Sequence, residues 1–435
     1  MVTLKSFLGM IAAVPFIMAC NQTGQVNATL FPASGSENVN PDTHLVLTFS
    51  ETPVLGDSGM IRVYDAVTDQ VVDSLDLSIP SGPTESRTYG PECDYTKVPY
   101  DYTRTVVPTN KDTRPGTPSG TAEPTPPVYQ LTIIGGFTDA FHFYPVIVRD
   151  SIATIYLHNN MLEYGHTYYV TIDNGVLNLA DGSFQGVTKE DEWTFTTKSD
   201  MPELSDTLIV DATGKGDFNT VQGALDFIPD FNEQQTVILV NPGDYEELVY
   251  TRNKWNVKIK GAGMADTKVH YANNEVFNPH PLTVKTNEWP GTFPSRRAAF
   301  MLDNCKDIVI EDMTIATDLK GQAEGLLING ERIALYRVHI IGSGDALQAN
   351  GTIYMESCEL DGGGDTILGR GSLFAYKSNF RNGGGPFSWV RNTAGNHGNV
   401  FVECTFSTED GKQADYGRTK SNHGSAYPDA EFVLI

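Results

Sequence analysis

The chain has 435 residues, 19% charged and 10% aromatic, which is long enough to bury a core without a disulfide or metal scaffold and, at about 150 residues per domain, suggests two or three domains. Gly 41 and Pro 24 are close to ordinary usage and exclude a collagen-like or wholly disordered chain. Lys+Arg 30 against Asp+Glu 54 gives a net charge of −24, which would repel a phosphate backbone and excludes nucleic acid as a partner.

Residues 1–20 place Lys5 before an apolar run from Phe7 to Met18, too short to span a bilayer but of signal-peptide proportions. The run ends in Ile17-Met18-Ala19-Cys20, which resembles the lipobox of bacterial lipoproteins. That resemblance implies lipid attachment at Cys20, a membrane contact through the anchor, and an exported protein held at the bacterial cell envelope, with a plain secretory signal as the alternative. Residues 21–40 are small and polar and read as a tether.

From 41 to 198 short β-type runs alternate with turn residues, as in His44–Phe49, Tyr168–Ile172 and Trp193–Thr197. This spacing predicts a β-sandwich, and its two ends resemble a bacterial Ig-like domain. Residues 80–127 interrupt it with ten of the chain's 24 prolines and no apolar periodicity, the signature of a long insertion or solvated spacer. Cys93, Cys305, Cys358 and Cys404 include no CxxC pair and no accompanying His cluster, so no metal site is expected.

The second half opens with a helix over 219–228, where Val221, Ala224, Leu225 and Ile228 share a face and Pro229 stops the run. A strand at Val237–Val240 follows. Five segments then repeat, beginning at Ile308, Ile333, Ile353, Leu373 and Asn399 and ending at Ile315, Ile340, Leu360, Phe380 and Phe406. One short strand per 20–26 residues fits a parallel β-helix, whose coils stack on one another. A leucine-rich horseshoe would need an LxxLxLxxN spacing that the repeats lack. In a β-helix Cys358 and Cys404 lie two coils apart, at about 10 Å, too far for a disulfide.

The repeat duplicates a Gly-Asp motif. Asp345 in Gly342–Leu347 and Asp365 in Gly362–Ile367 each lie five residues past the end of a segment, twenty residues apart. They should therefore stack on adjacent rungs about 4.8 Å apart. Two carboxyls so placed cannot easily both ionise, which raises one pKa, leaves the other low, and supplies an acid and a nucleophile. From spacing alone, two turn aspartates capping Gly-rich bends fit as well.

Residues 205–435 resemble the pectin methylesterase family. The opening segment GDFNTVQGALDFIP with NPGDYEE is similar to the family's own, and four motifs follow in order: Gln322-Ala323-Glu324-Gly325-Leu326, Gly344-Asp345-Ala346-Leu347, Gly364-Asp365-Thr366-Ile367-Leu368-Gly369 and Tyr416-Gly417-Arg418. The resemblance implies an all-β fold, a right-handed parallel β-helix behind the Ig-like sandwich, and hydrolysis of pectin methyl esters without metal or organic cofactor. It implies Asp365 as nucleophile, Asp345 as general acid, Gln322 as oxyanion donor and Arg418 as the holder of the nucleophile. Gly344 stands where the family has a second Gln, a donor whose loss costs roughly 10²–10³ in rate unless a group such as Gln348 replaces it. Thr366, Leu368, Thr419 and Lys420 replace the family's aromatic and Pro-Trp positions, so the sugar contacts are expected from Trp389, Arg391, Gln348 and Lys420, with core packing the competing role for Trp389. Ending at Phe432–Ile435, the chain is expected to be a fragment of a longer β-helix. The expected partner is the pectin polysaccharide, bound by a monomer. A non-catalytic carbohydrate-binding β-helix and a polysaccharide lyase or hydrolase on the same fold are the alternatives.

Overall fold

The computed structural model describes residues 26–83, 129–136, 141–278, 295–392, 395–418 and 429–435. The segment 1–20 with Cys20, most of the 80–127 insertion with Cys93, and Lys420 lie outside the described residues.

Two sheets enclose the first core. One orders Thr29–Phe31, Leu45–Thr48, Ile152–Ile155 and Val146–Arg149, and the other Ser36–Val39, Thr194–Thr197, Thr167–Ile172, Met60–Asp65 and Gln70–Asp76. Period-2 alternation drives the packing: Leu45, Leu47, Ile61, Val63, Val170 and Phe195 point inward and are at most 1% exposed. Trp193 is fully buried and donates its indole N–H to the Pro32 carbonyl at 2.8 Å. The tether expected over 21–40 is corrected here, because Leu30 pairs with Leu47 and Phe195 with Ser36. Leu30 and Val39 pack on the core, and the small polar residues between them hide that pattern in the sequence.

From Thr207 onward the chain coils into a parallel β-helix. The repeat register is residue for residue that of the sequence: Ile308 pairs with Ile333, then Ile353, Leu373 and Asn399. At the segment ends Ile315 pairs with Ile340, then Leu360, Phe380 and Phe406. One inward row runs Leu208, Ile238, Ile259, Ile310, Leu335, Met355, Ala375, Phe401, every member at most 1% exposed. Stacking like on like keeps this row apolar from coil to coil. Cys305 and Cys358 are free thiols buried in it, and Cys404 is free and half-buried. The helix Val221–Phe227 packs on the first coils, capped by Thr220, whose hydroxyl accepts from the Gly223 N–H, and stopped where Ile228 turns extended before Pro229.

The sandwich sits on those first coils. Asp42 accepts from the Asn219 and Thr220 backbone N–H groups, and Asn159 and Asn160 donate to Asp226 of the helix. The residues that follow the insertion form a two-stranded ribbon, Leu131–Thr132 with Phe141–His142. Phe141 packs on Tyr250 with ring centroids 4.4 Å apart. Ile134 and Phe141 thereby join Leu248, Tyr250, Tyr271 and Met301 in a shared apolar cluster.

Candidate active site

The corner that leads into the strands Leu326–Ile341, Leu347–Ala349 and Ile367–Gly369 gathers the polar residues. Leu326 pairs with Leu347, and Leu347 with Ile367, so the residues two positions before each, Glu324, Asp345 and Asp365, occupy equivalent places on consecutive rungs. All three are at most 3% exposed. The two stacked aspartates deduced from the twenty-residue spacing are thus part of a ladder of three carboxyls. Asp345 and Asp365 touch through the Asp365 backbone N–H, which donates to Asp345 Oδ1 at 2.9 Å.

Glycines allow the corner to stack this closely. Gly364 N–H donates to the Gly344 carbonyl. A Cβ on Gly344 would lie 2.5 Å from the Gly321 carbonyl oxygen, and one on Gly364 2.5 Å from that of Gly344. Position 344 has no room for a side chain, which is the physical reason for glycine where the motif has glutamine.

An arginine stands at each end of the ladder. Arg418 Nε donates to Asp365 Oδ1 at 2.6 Å. Arg297 grips Glu324 through Nε at 2.8 and 3.0 Å and through Nη2 at 2.5 Å. Its Nη1 reaches Glu275 Oε2 at 3.0 Å and Gln322 Oε1 at 3.2 Å, and its Nη2 reaches Asp345 Oδ2 at 3.2 Å. Burial pushes the Asp345 carboxyl up to about 7, with Arg297 pulling it down and the neighbouring Glu324 and Asp365 charges pushing it further up. Burial also raises Asp365, against the hydrogen bond and charge of Arg418 and the charges of Arg391 and Arg297. The expectation that one carboxyl stays low is therefore corrected: both rise, because both are desolvated, and Arg418 favours the ionised form of Asp365.

Trp389 is half-buried, not a core residue, and lies between two cations. Arg391 stands 4.5 Å and Arg418 4.6 Å from its ring centroid. Across adjacent rungs Gln348 pairs with Leu368 and Leu368 with Trp389, one face for all three. Gln348 is buried at 2% exposure, while Gln322 is exposed. The geometry brings Gln322, Asp345, Asp365, Arg418, Trp389 and Arg391 to one corner. Sequence reasoning missed Arg297, Glu275 and the role of Glu324. The available signal was an acid inside an otherwise apolar stretch, Ala323-Glu324-Gly325-Leu326-Leu327, following an Arg pair at 296–297.

Residues 207–383 match the family model described as Pectinesterase. The chain is 31% identical over 170 residues to Pectinesterase QRT1 of Arabidopsis thaliana, covering 37% of this chain and 43% of that protein. It is 29% identical over 165 residues to Pectinesterase 31 of the same plant, covering 37% and 51%. The chain spans about half the length of these curated relatives. Among solved structures, pectin methylesterase from carrot superposes with a TM-score of 0.40 and 18% identity, over 48% of this chain and 66% of that one. The family match includes Gln322, Asp345 and Asp365, whereas Trp389, Arg391 and Arg418 lie beyond it.

Proposed function

We propose that this chain, whose residues 207–383 match the pectinesterase family, is a carboxylic ester hydrolase that removes methyl esters from pectin. The observation that carries the reading is the contact between two buried aspartates in unlike surroundings, the Asp365 backbone N–H donating to Asp345 Oδ1 at 2.9 Å while Arg418 holds the Asp365 carboxylate at 2.6 Å, and burial pushes Asp345 up to about 7. Asp365, as carboxylate, attacks the ester carbonyl carbon, and Gln322 donates to the oxyanion that forms. The tetrahedral adduct collapses, the C–OCH₃ bond breaks, and the Asp345 proton passes to the departing methoxide, releasing methanol. Water then attacks the acyl-enzyme anhydride while Asp345 takes one of its protons, which restores Asp365 as carboxylate and frees the galacturonic acid, whose remaining proton passes to solvent. Trp389 and Arg391 line the sugar-binding side, with Gln348 two rungs away on the same face, and Lys420 is a further sugar contact of the proposal. The −24 net charge suits the nearly neutral esterified polymer better than its polyanionic product.

The same proposal has the protein act as a monomer, exported and lipid-anchored at Cys20, with the Ig-like sandwich as its spacer. Support comes from the Lys5-then-apolar segment ending Ile17-Met18-Ala19-Cys20 and from two sheets sharing one core. Mass spectrometry of the N-terminal peptide should find a diacylglycerol-sized addition on Cys20, and an unmodified Cys20 would remove the anchor from the proposal.

Methanol release from highly methylated pectin tests the reaction, with the isosteric Asp365→Asn as the paired control. Wild-type release with a loss of at least about 10³-fold in the variant is expected. Release at the wild-type rate by a folded Asp365→Asn protein would remove Asp365 as nucleophile.

A further inference from the structure

Position 344 excludes a glutamine, because a Cβ there meets the Gly321 carbonyl at 2.5 Å. Oxyanion stabilisation then falls on Gln322, and an exposed amide on a corner has two orientations, of which one presents a donor and the other an acceptor. Arg297 decides between them. A guanidinium has donors and no acceptor, so the Gln322 group facing Nη1 at 3.2 Å is its oxygen, and its NH₂ is turned the other way. Arg297 is itself immobilised, through three contacts to the buried Glu324 and one to Glu275.

The other end of the same guanidinium meets the acid. Asp345 is the middle rung of the ladder and faces Arg297 at 3.2 Å, Glu324 on the rung before it and Asp365 on the rung after, with Glu275, Arg391 and Arg418 one contact further out. Arg297 favours the ionised form of Asp345, and Glu324 and Asp365 favour the protonated form. We propose that Arg297 and Glu324 form the positioning pair of this site, one turning the Gln322 amide toward the oxyanion, and both, by opposite charges, setting how readily Asp345 yields its proton. This inference rests on the esterase reading of the same aspartates.

Opposite charges make opposite predictions, which a merely structural pair would not. In Arg297→Met the alkaline limb of the kcat profile moves to higher pH, because the cation that favoured ionised Asp345 is gone, and kcat falls about 10²-fold with KM little changed. In Glu324→Gln the limb moves to lower pH, because a neighbouring anion is gone. A buried charge left alone destabilises a fold, so the double variant Arg297→Met/Glu324→Gln, checked by near-ultraviolet circular dichroism, serves as the folded reference that keeps the low kcat. Folded variants with wild-type kcat and unmoved limbs, or with both limbs moving the same way, overturn the pair. If the wild type releases no methanol, the esterase reading fails separately. The Asp345 carboxyl, followed by infrared difference titration with Asp345→Asn as blank, must still move up in Arg297→Met and down in Glu324→Gln, and coincident titrations overturn the inference.

Discussion

Asp345 owes its proton first to burial and then to its place between two other carboxyls, Glu324 and Asp365, on a stacked corner. With its carboxyl pushed up to about 7, an acid that must be protonated to act loses activity as pH rises through that value. The kcat/KM profile on methylated pectin should therefore fall on its alkaline side near pH 7, and a flat profile well above that pH would refute Asp345 as the acid. Gly344 makes a second test at this scale. Gly344→Ala forces a Cβ within 2.5 Å of the Gly321 carbonyl and should cost roughly 1–3 kcal/mol, read as a lower Tm, while Gly344→Gln should bring no gain in methanol release. Asp345 and Asp365 were legible because a repeat converts spacing into stacking. Arg297 was not, since an Arg pair before a lone acid does not say which of several arginines that corner, one and two coils away, will receive.

The helix Val221–Phe227 shows the same contrast at the level of an element. Its apolar face and its Pro229 stop are written in consecutive residues, but its N-terminus is held from outside. Glu247 accepts from the Val221 and Gln222 N–H groups at 2.8 and 2.9 Å, and Asp42 of the sandwich accepts from Thr220 N–H at 2.8 Å. Burial pushes Glu247 from 4.5 up to about 7 and raises Asp42 as well. A carboxyl whose folded pKa lies above its unfolded value binds its proton more tightly in the folded state. Its contribution is complete below about 4.5 and is lost as pH climbs toward 7, a change of about 3 kcal/mol for Glu247. Denaturant unfolding at pH 5 and pH 8 should show lower stability at pH 8, and Glu247→Gln should flatten that slope; an unchanged slope would place the pH dependence elsewhere.

Over the whole molecule, the sandwich and the β-helix share a buried seam. Phe141 lies on Tyr250 and under Arg296, whose guanidinium carbon is 4.3 Å from the ring centroid. His142 donates its Nδ1–H to the Phe277 carbonyl, 2.6 Å away, and its backbone N–H to Asn278 Oδ1 at 2.7 Å. Arg149 of the sandwich pairs with Glu246 of the first coils. Separating the halves would expose this cluster and strand buried carboxylates, so calorimetry should record one cooperative transition. Two resolved transitions, or an independently stable fragment 205–435, would mean that the seam contributes little.

Sequence alone determined what depends on periodicity: the strand alternation of the sandwich, the 20–26-residue coil and its register, the adjacency of Asp345 and Asp365, and the exclusion of a Cys358–Cys404 bridge. These follow from local repeats, in which each residue's neighbour in space is a fixed distance along the chain. Tertiary structure alone decided what depends on contacts without a period. Residues 29–39 are strands of the sandwich because Leu30 and Val39 find a core there, Trp389 is a half-buried ring between two arginines, and Arg297 reaches from one coil to Glu324, Gln322 and Asp345 on the next two. A long, charged side chain can satisfy its donors in many places, and only the packed corner, with three carboxyls withdrawn from water, makes one of those places much the most favourable.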